Sequence, residues 1–170
     1  MAKAEFTDAI ALLKADHRKV EDLFAQFEKA GASGQKQAIA HEICTELKIH
    51  TMIEEEIFYP ALRGRIDDDT LDEAYVEHDG AKVLINDIEA GSPEDDFYDA
   101  KVTVLSEEIK HHVHEEEMPS DGMFAQCRKT DVDLVALRGA MLMRKQQLLA
   151  QSKAGGLPVA KPNAVNLMPA

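Results

Sequence analysis

The sequence predicts an all-α fold, an antiparallel up-down four-helix bundle with an additional C-terminal helix and a flexible tail. Three observations carry that expectation. Apolar residues recur at steps of three and four in five stretches, the spacing of one helix face. Trp is absent and aromatics reach only 5%, lean for a β-sandwich. Four of the five stripes each carry one histidine, at His17, His50, His78 and His112.

The first helix spans Thr7 to about Lys29, with Ile10, Leu13, Val20, Phe24 and Phe27 on one face and His17 within that stripe. Gly31-Ala32-Ser33-Gly34 breaks the pattern. The second stripe passes through Ile39, Ile43, Leu47, Ile57 and Ala61, with His50 and Glu54 at its middle, and is expected to stop or kink at Pro60. Asp67-Asp68-Asp69-Thr70 supplies N-caps for a third helix carrying Leu71, Ala74, His78, Ala81, Ile85 and Ile88, closed by Gly91. Ser92-Pro93-Glu94-Asp95 combines a cap, Pro at the first helical position and first-turn acids, which predicts the start of the fourth helix there. Its stripe is Tyr98, Val102, Leu105, Ile109, His112 and Glu116. After an irregular stretch from Pro119, a fifth helix from near Asp131 passes Leu134, Leu137, Met141 and Leu148. The sequence thus divides into a bundle over 1–152, with its metal-binding part at about 7–125, and a loosely ordered tail over 153–170.

A chain of 170 residues suits one domain able to bury its own core. Its 19 basic against 32 acidic residues, a formal net charge of -13, would repel nucleic acid and anionic membrane, so neither is an expected partner. Cys44 and Cys127 show no CxxC spacing, and Met1–Asp8 lacks the pattern of a secretory signal. A soluble cytoplasmic protein is the expectation.

The chemistry lies in the stripes. His50 and His112 are each followed four residues later by a glutamate, Glu54 and Glu116, and residues i and i+4 share a helix face. In an antiparallel bundle the six groups converge in one interior layer. A single histidine on an apolar face is most often a hydrogen-bonded core residue, but six unpartnered polar groups would cost roughly 6–18 kcal/mol at about 1–3 each. That rivals a domain's whole net stability of about 5–15 kcal/mol. Ionised glutamates in a core need positive charge, which two divalent or trivalent cations would supply. Imidazoles then serve as terminal ligands and carboxylates as bridges.

Helical phase, at about 100° per residue, turns His41, His111 and His114 away from the stripes, with His111 the nearest alternative as ligand or partner of one. Glu55, Glu56, Glu115 and Glu117 are expected to face solvent or orient ligands. Tyr59 and Tyr75 lie within reach, with ordinary packing as the expected role. A ferritin-like reading fails because Glu108-x-x-His111 is the only Glu-x-x-His on the helices and faces outward. A zinc hydrolase fails because Met118 stands where HExxH needs its second histidine. Zinc or manganese on the same six ligands stays open.

The chain resembles the hemerythrin-like proteins of the HHE cation-binding type, over roughly residues 7 to 125. The matching elements are Ala15-Asp16-His17-Arg18-Lys19-Val20, the run from His50 to Pro60, Glu77-His78, and the run from His111 to Glu117. The resemblance implies two iron ions in a non-haem, oxo- or hydroxo-bridged di-iron centre, with His17, His50, His78 and His112 terminal and Glu54 and Glu116 bridging. The oxygen carriers of that family place a second histidine on the third helix, where this chain has Ala74 and Lys82. One ligand fewer implies more open coordination and a small diatomic or peroxide ligand, handled by a sensor or storage protein or by a redox enzyme.

Overall fold

The structure, a computed structural model, describes residues 6–168. Met1–Glu5, part of the N-terminal segment read above, and Pro169–Ala170, the end of the tail, lie outside the described residues.

Asp8 caps α1 (Ala9–Lys29), its carboxylate accepting the Ala11 amide at 2.8 Å. α2 (Ser33–Ile53) runs through a π-helical turn, Glu54–Phe58, into α3 (Tyr59–Leu62), so the second helix distorts ahead of Pro60 and ends only at Leu62. Asp67 caps α4 (Asp68–Ala90) by accepting the Asp69 amide at 3.2 Å. α5 (Tyr98–Glu117), a short α6 (Met123–Cys127) and α7 (Leu134–Gly155) follow. α1 packs against α2 and α5, and α4 packs against the same two, which closes a four-helix ring; α7 lies across α1, α2 and the π-turn.

Two apolar layers fill the ring. Val20, Phe24, Ile43, Leu47, Ile85 and Leu105 belong to one, and Leu13, Ile53, Phe58, Leu71, Phe124 and Met141 to the other. Each fully buried Leu, Ile or Phe contributes about 1.5–3 kcal/mol, so these layers carry the fold and can offset a costly polar layer between them. That layer holds the histidines: in α1, α2 and α4 each sits between residues of the two apolar sets, and in α5 His112 lies at the end of the first set, beside Ile109 and Val113.

Three boundaries differ from the sequence expectation. The fourth helix begins at Tyr98, not at Ser92: Asp95 accepts the Ser92 amide at 2.8 Å to make a closed turn, and Phe97 at φ 68° interrupts any helix continuing from it. α6 was not predicted, because five residues are too short to show a period. It nevertheless buries Met123, Phe124 and Cys127, at a turn where only Gly122 fits; a Cβ there would lie 2.6 Å from the Met118 carbonyl. α7 continues to Gly155, and the segment beyond it lies along α4, with Asn86 exchanging two hydrogen bonds with the Ala160 backbone.

Candidate metal centre

The structure brings His17, His50, Glu54, His78, His112 and Glu116 into one buried cluster, all at most 5% exposed. His17 Nε2 lies 3.3 Å from Glu116 Oε2, and His50 Nε2 lies 3.2 Å from Glu54 Oε2. On the other side His78 Nε2 lies 3.3 Å from Glu54 Oε2 and 3.1 Å from His112 Nε2, itself 3.5 Å from Glu116 Oε1. The donors thus divide into two groups, His17 and His50 against His78 and His112, and the glutamates face both.

Four ligand-type atoms of the cluster, His17 Nε2, His50 Nε2, Glu54 Oε1 and Glu116 Oε2, are buried and, among the described residues, make no contact with the geometry of a hydrogen bond. At about 1–3 kcal/mol each a folded core does not keep four such atoms face to face without compensation. Donors spaced near 3 Å also match ligands on a shared ion at about 2.0–2.2 Å. The residues present therefore fit a bound cation.

Each histidine turns its other nitrogen to a carboxylate. His17 Nδ1 meets Glu117 Oε1 at 2.7 Å, His78 Nδ1 meets Glu55 Oε1 at 2.9 Å, and His112 Nδ1 meets Glu77 Oε2 at 2.6 Å. His50 Nδ1 faces Asp16 Oδ2 at 3.6 Å, beyond hydrogen-bonding distance. Such carboxylates fix the tautomer and leave Nε2 free for an ion. Glu55 and Glu117 match the expected orienting role. Asp16 and Glu77, quoted above only as neighbours of the motif histidines, take the same orienting place. Glu56 and Glu115 touch none of the four histidines.

The buried carboxylates favour the protonated form of the imidazoles beside them. Burial disfavours imidazolium, but Glu54 and Asp16 outweigh it and raise His50 to about 10. His78 is likewise raised to about 9, burial opposed by Glu54 and Glu55. Glu54, despite its burial, is held well below the usual carboxylate range by His50 and His78. Ligation of a cation would require the neutral imidazoles, so protons and a cation would compete for the same nitrogens.

Tyr59 departs from the packing role expected of it. Its hydroxyl lies 3.0 Å from Glu116 Oε1, 3.2 Å from Glu54 Oε2 and 3.2 Å from His78 Nε2. In an ordinary α-helix a residue five beyond Glu54 points about 140° away from it. The π-turn, with the Tyr59 amide donating to the Glu54 carbonyl, brings it back over Glu54. Burial and both glutamates push its phenol well above 10.0. Tyr75 packs edge-on to the Tyr59 ring at 5.3 Å, and Phe124 stacks on His17 at 5.9 Å.

His41, His111 and His114 are exposed, as their phase predicts. His111 Nε2 lies 3.3 Å from Glu77 and so stands behind the carboxylate that holds His112. Cys44 and Cys127 are free and buried, with burial raising their thiols to about 12 and about 11, out of the reactive range. Among the described residues no helix is long and apolar enough to cross a membrane.

A closed helical ring with inward histidines and glutamates defines a cation-binding bundle. The chain belongs to the hemerythrin family, whose HHE cation-binding domain model matches residues 8–119. It is similar to a DNA nickase of Nostoc sp., 29% identical over 106 residues, which cover 62% of this chain and 30% of that protein. This chain therefore matches less than a third of its curated relative's length. Its fold is shared with the crystal structure of a hemerythrin HHE cation-binding domain-containing protein from Mycobacterium kansasii, at TM-score 0.73 and 23% identity, covering 89% of this chain and 96% of that one.

Proposed function

We propose that this chain holds two iron ions as a non-haem di-iron centre and uses them to bind or sense a small oxidant, dioxygen, nitric oxide or peroxide. The observation that carries the reading is the set of four orphaned donor atoms facing one another in the core. His17 and His50 would hold one ion, His78 and His112 the other, and Glu54 and Glu116 would bridge them. Bound there, the irons would supply one-electron redox steps and exchangeable positions for a small ligand.

The chain's own residues select for size and polarity. A small enclosed cavity, about 10 Å³, lies against the four imidazoles and is walled by Val20, Leu47, Ile109 and Val113. It has room for about one water-sized molecule, which suits a diatomic better than an organic substrate. Tyr59 approaches from the opposite apolar layer, where its hydroxyl can donate to either glutamate.

A second reading, a redox enzyme consuming peroxide or nitric oxide, is favoured by that hydroxyl, a hydrogen-bond donor beside the histidines and glutamates. DNA nicking belongs to the Nostoc protein's name; a net charge of -13 weighs against a phosphate backbone here. Elemental analysis of the purified protein tests the core reading: two irons per chain support it, and none, or another metal, refutes it. Stopped-flow mixing of the reduced protein with each oxidant then separates the roles. One spectral change without turnover supports binding or sensing, whereas many turnovers support the enzyme.

A further inference from the structure

Residues beyond 119 lie outside the family match, yet two side chains from there end on the carboxylates that hold the histidines. On α7, Lys145 Nζ donates to Asp16 Oδ1, and the other Asp16 oxygen faces His50 Nδ1 at 3.6 Å. Both facing atoms are buried and have no hydrogen-bond partner. From the C-terminal segment, Asn163 Nδ2 donates to Glu55 Oε2, while Glu55 Oε1 meets His78 Nδ1 at 2.9 Å.

That segment is firmly attached. Asp79 accepts the amides of Asn163, Ala164 and Val165 at 2.6–3.0 Å, and Lys82 ties Asp79 to Glu55 at 2.8–3.1 Å. Each arm reaches one half of the cluster only. Lys145 acts on the side of His17 and His50, and Asn163 on the side of His78 and His112. A carboxylate behind an imidazole fixes the ring and its tautomer; a donor on that carboxylate's second oxygen stops it swinging away.

We infer that α7 and the C-terminal segment form a two-armed clamp, with Lys145 a positioning residue for His50 and Asn163 one for His78, each setting how tightly its own half keeps its ion. The effect on ions rests on the two-ion reading above. The effect on the imidazoles does not.

Arg144, next to Lys145, separates clamping from mere attachment. It grips Glu56 with two bonds of 2.6 and 3.0 Å, and Glu56 touches no histidine. The test compares Lys145→Met, Asn163→Ala and Arg144→Met in the full chain. It reads release of Co²⁺ from the Co²⁺-loaded protein to a chelator, and ¹⁵N imidazole spectra of the metal-free protein. Asn163→Ala should speed loss of one ion and Lys145→Met the other, each roughly 10-fold, the lower end of what outer partners of a ligand contribute. The spectra should move at His78 and at His50 respectively. Lys145→Arg should restore wild-type behaviour, and Arg144→Met should change neither readout. The clamp is overturned if Arg144→Met matches Lys145→Met, if both arms speed both ions alike, or if neither readout moves. Should the wild type take up fewer than two Co²⁺ ions, the two-ion reading fails and the imidazole spectra alone decide the positioning.

Discussion

Replacing Tyr59 with Phe removes one oxygen and leaves the ring packed against Tyr75 and Phe58, at 5.3 and 6.3 Å. The lost hydroxyl carries one proton and lies 3.0 Å from Glu116 and 3.2 Å from Glu54, so it donates to one carboxylate at a time. A hydrogen bond to a charged group contributes about 1.5–3 kcal/mol. No cavity larger than the oxygen opens, so the metal-free variant should lose about 2 kcal/mol, the middle of that range. For a domain of this length that lowers Tm by about 4–8 °C. Urea unfolding of metal-free wild type and variant reads the same quantity as a lower midpoint at unchanged slope. Equal stability would refute the reasoning, because it would mean the π-turn does not deliver the hydroxyl to the carboxylates.

His112→Ala and Glu54→Ala should lower metal content and destabilise the fold, whereas His111→Ala and His41→Ala should keep both; elemental analysis showing metal loss in His111→Ala would reverse the assignment. In the metal-free chain His50 and His78, raised to about 10 and about 9 from ~6.5 when unfolded, contribute stability that is complete below about pH 6.5 and is lost as pH climbs through 9 to 10. Denaturation at pH 7 and pH 10 checks this, and a protein more stable at pH 10 contradicts it. The metal-loaded protein should lose ions in the other direction, as acid protonates the imidazoles, which a chelator titration against pH follows. Gly122→Ala places a Cβ 2.6–2.7 Å from backbone atoms of Glu115 and Met118 and should cost about 1–3 kcal/mol by thermal unfolding; an unchanged Tm would show that the α5–α6 turn yields freely.

The helices and the six inward groups were legible because each rests on a local period. His17, His50, His78 and His112 fall on stripes whose other members are apolar, so burial of the stripe carries the histidine inward with it. What stayed hidden depends on geometry that a regular period cannot encode. Tyr59 reaches the cluster only through the π-turn, and an α-helical wheel places it elsewhere. Ser92-Pro93-Glu94-Asp95 has every local sign of a helix start, yet the Asp95 side chain closes a separate turn and Phe97 resets the chain. α6 is shorter than any detectable stripe, and Lys145 and Asn163 find Asp16 and Glu55 across 129 and 108 residues of sequence.

A twofold pattern in the contacts accounts for the carboxylates that a stripe analysis passes over. Exchanging α1 with α4 and α2 with α5 turns His17 into His78, His50 into His112, Glu54 into Glu116, Asp16 into Glu77 and Glu55 into Glu117. The contacts obey the exchange: His17 to Glu117 mirrors His78 to Glu55, and His50 to Asp16 mirrors His112 to Glu77. The rule is visible in the sequence once stated, as an acid before the inward histidine of the first and third helices and an acid after Glu54 and after Glu116. The two halves then differ where the pattern breaks. His78 meets the Tyr59 hydroxyl, while His17 stacks on the apolar Phe124 ring. Behind the four histidines, Glu117 pairs with Arg18, Asp16 with Lys145 and Glu55 with Lys82, but among the described residues Glu77 has only His111 on its outer side. A hydroxyl on one side, an aromatic face on the other and one carboxylate with no lysine or arginine partner among the described residues make two chemically unequal halves out of a repeated scaffold, and that inequality, more than the shared histidines and glutamates, is what an assignment of role has to explain.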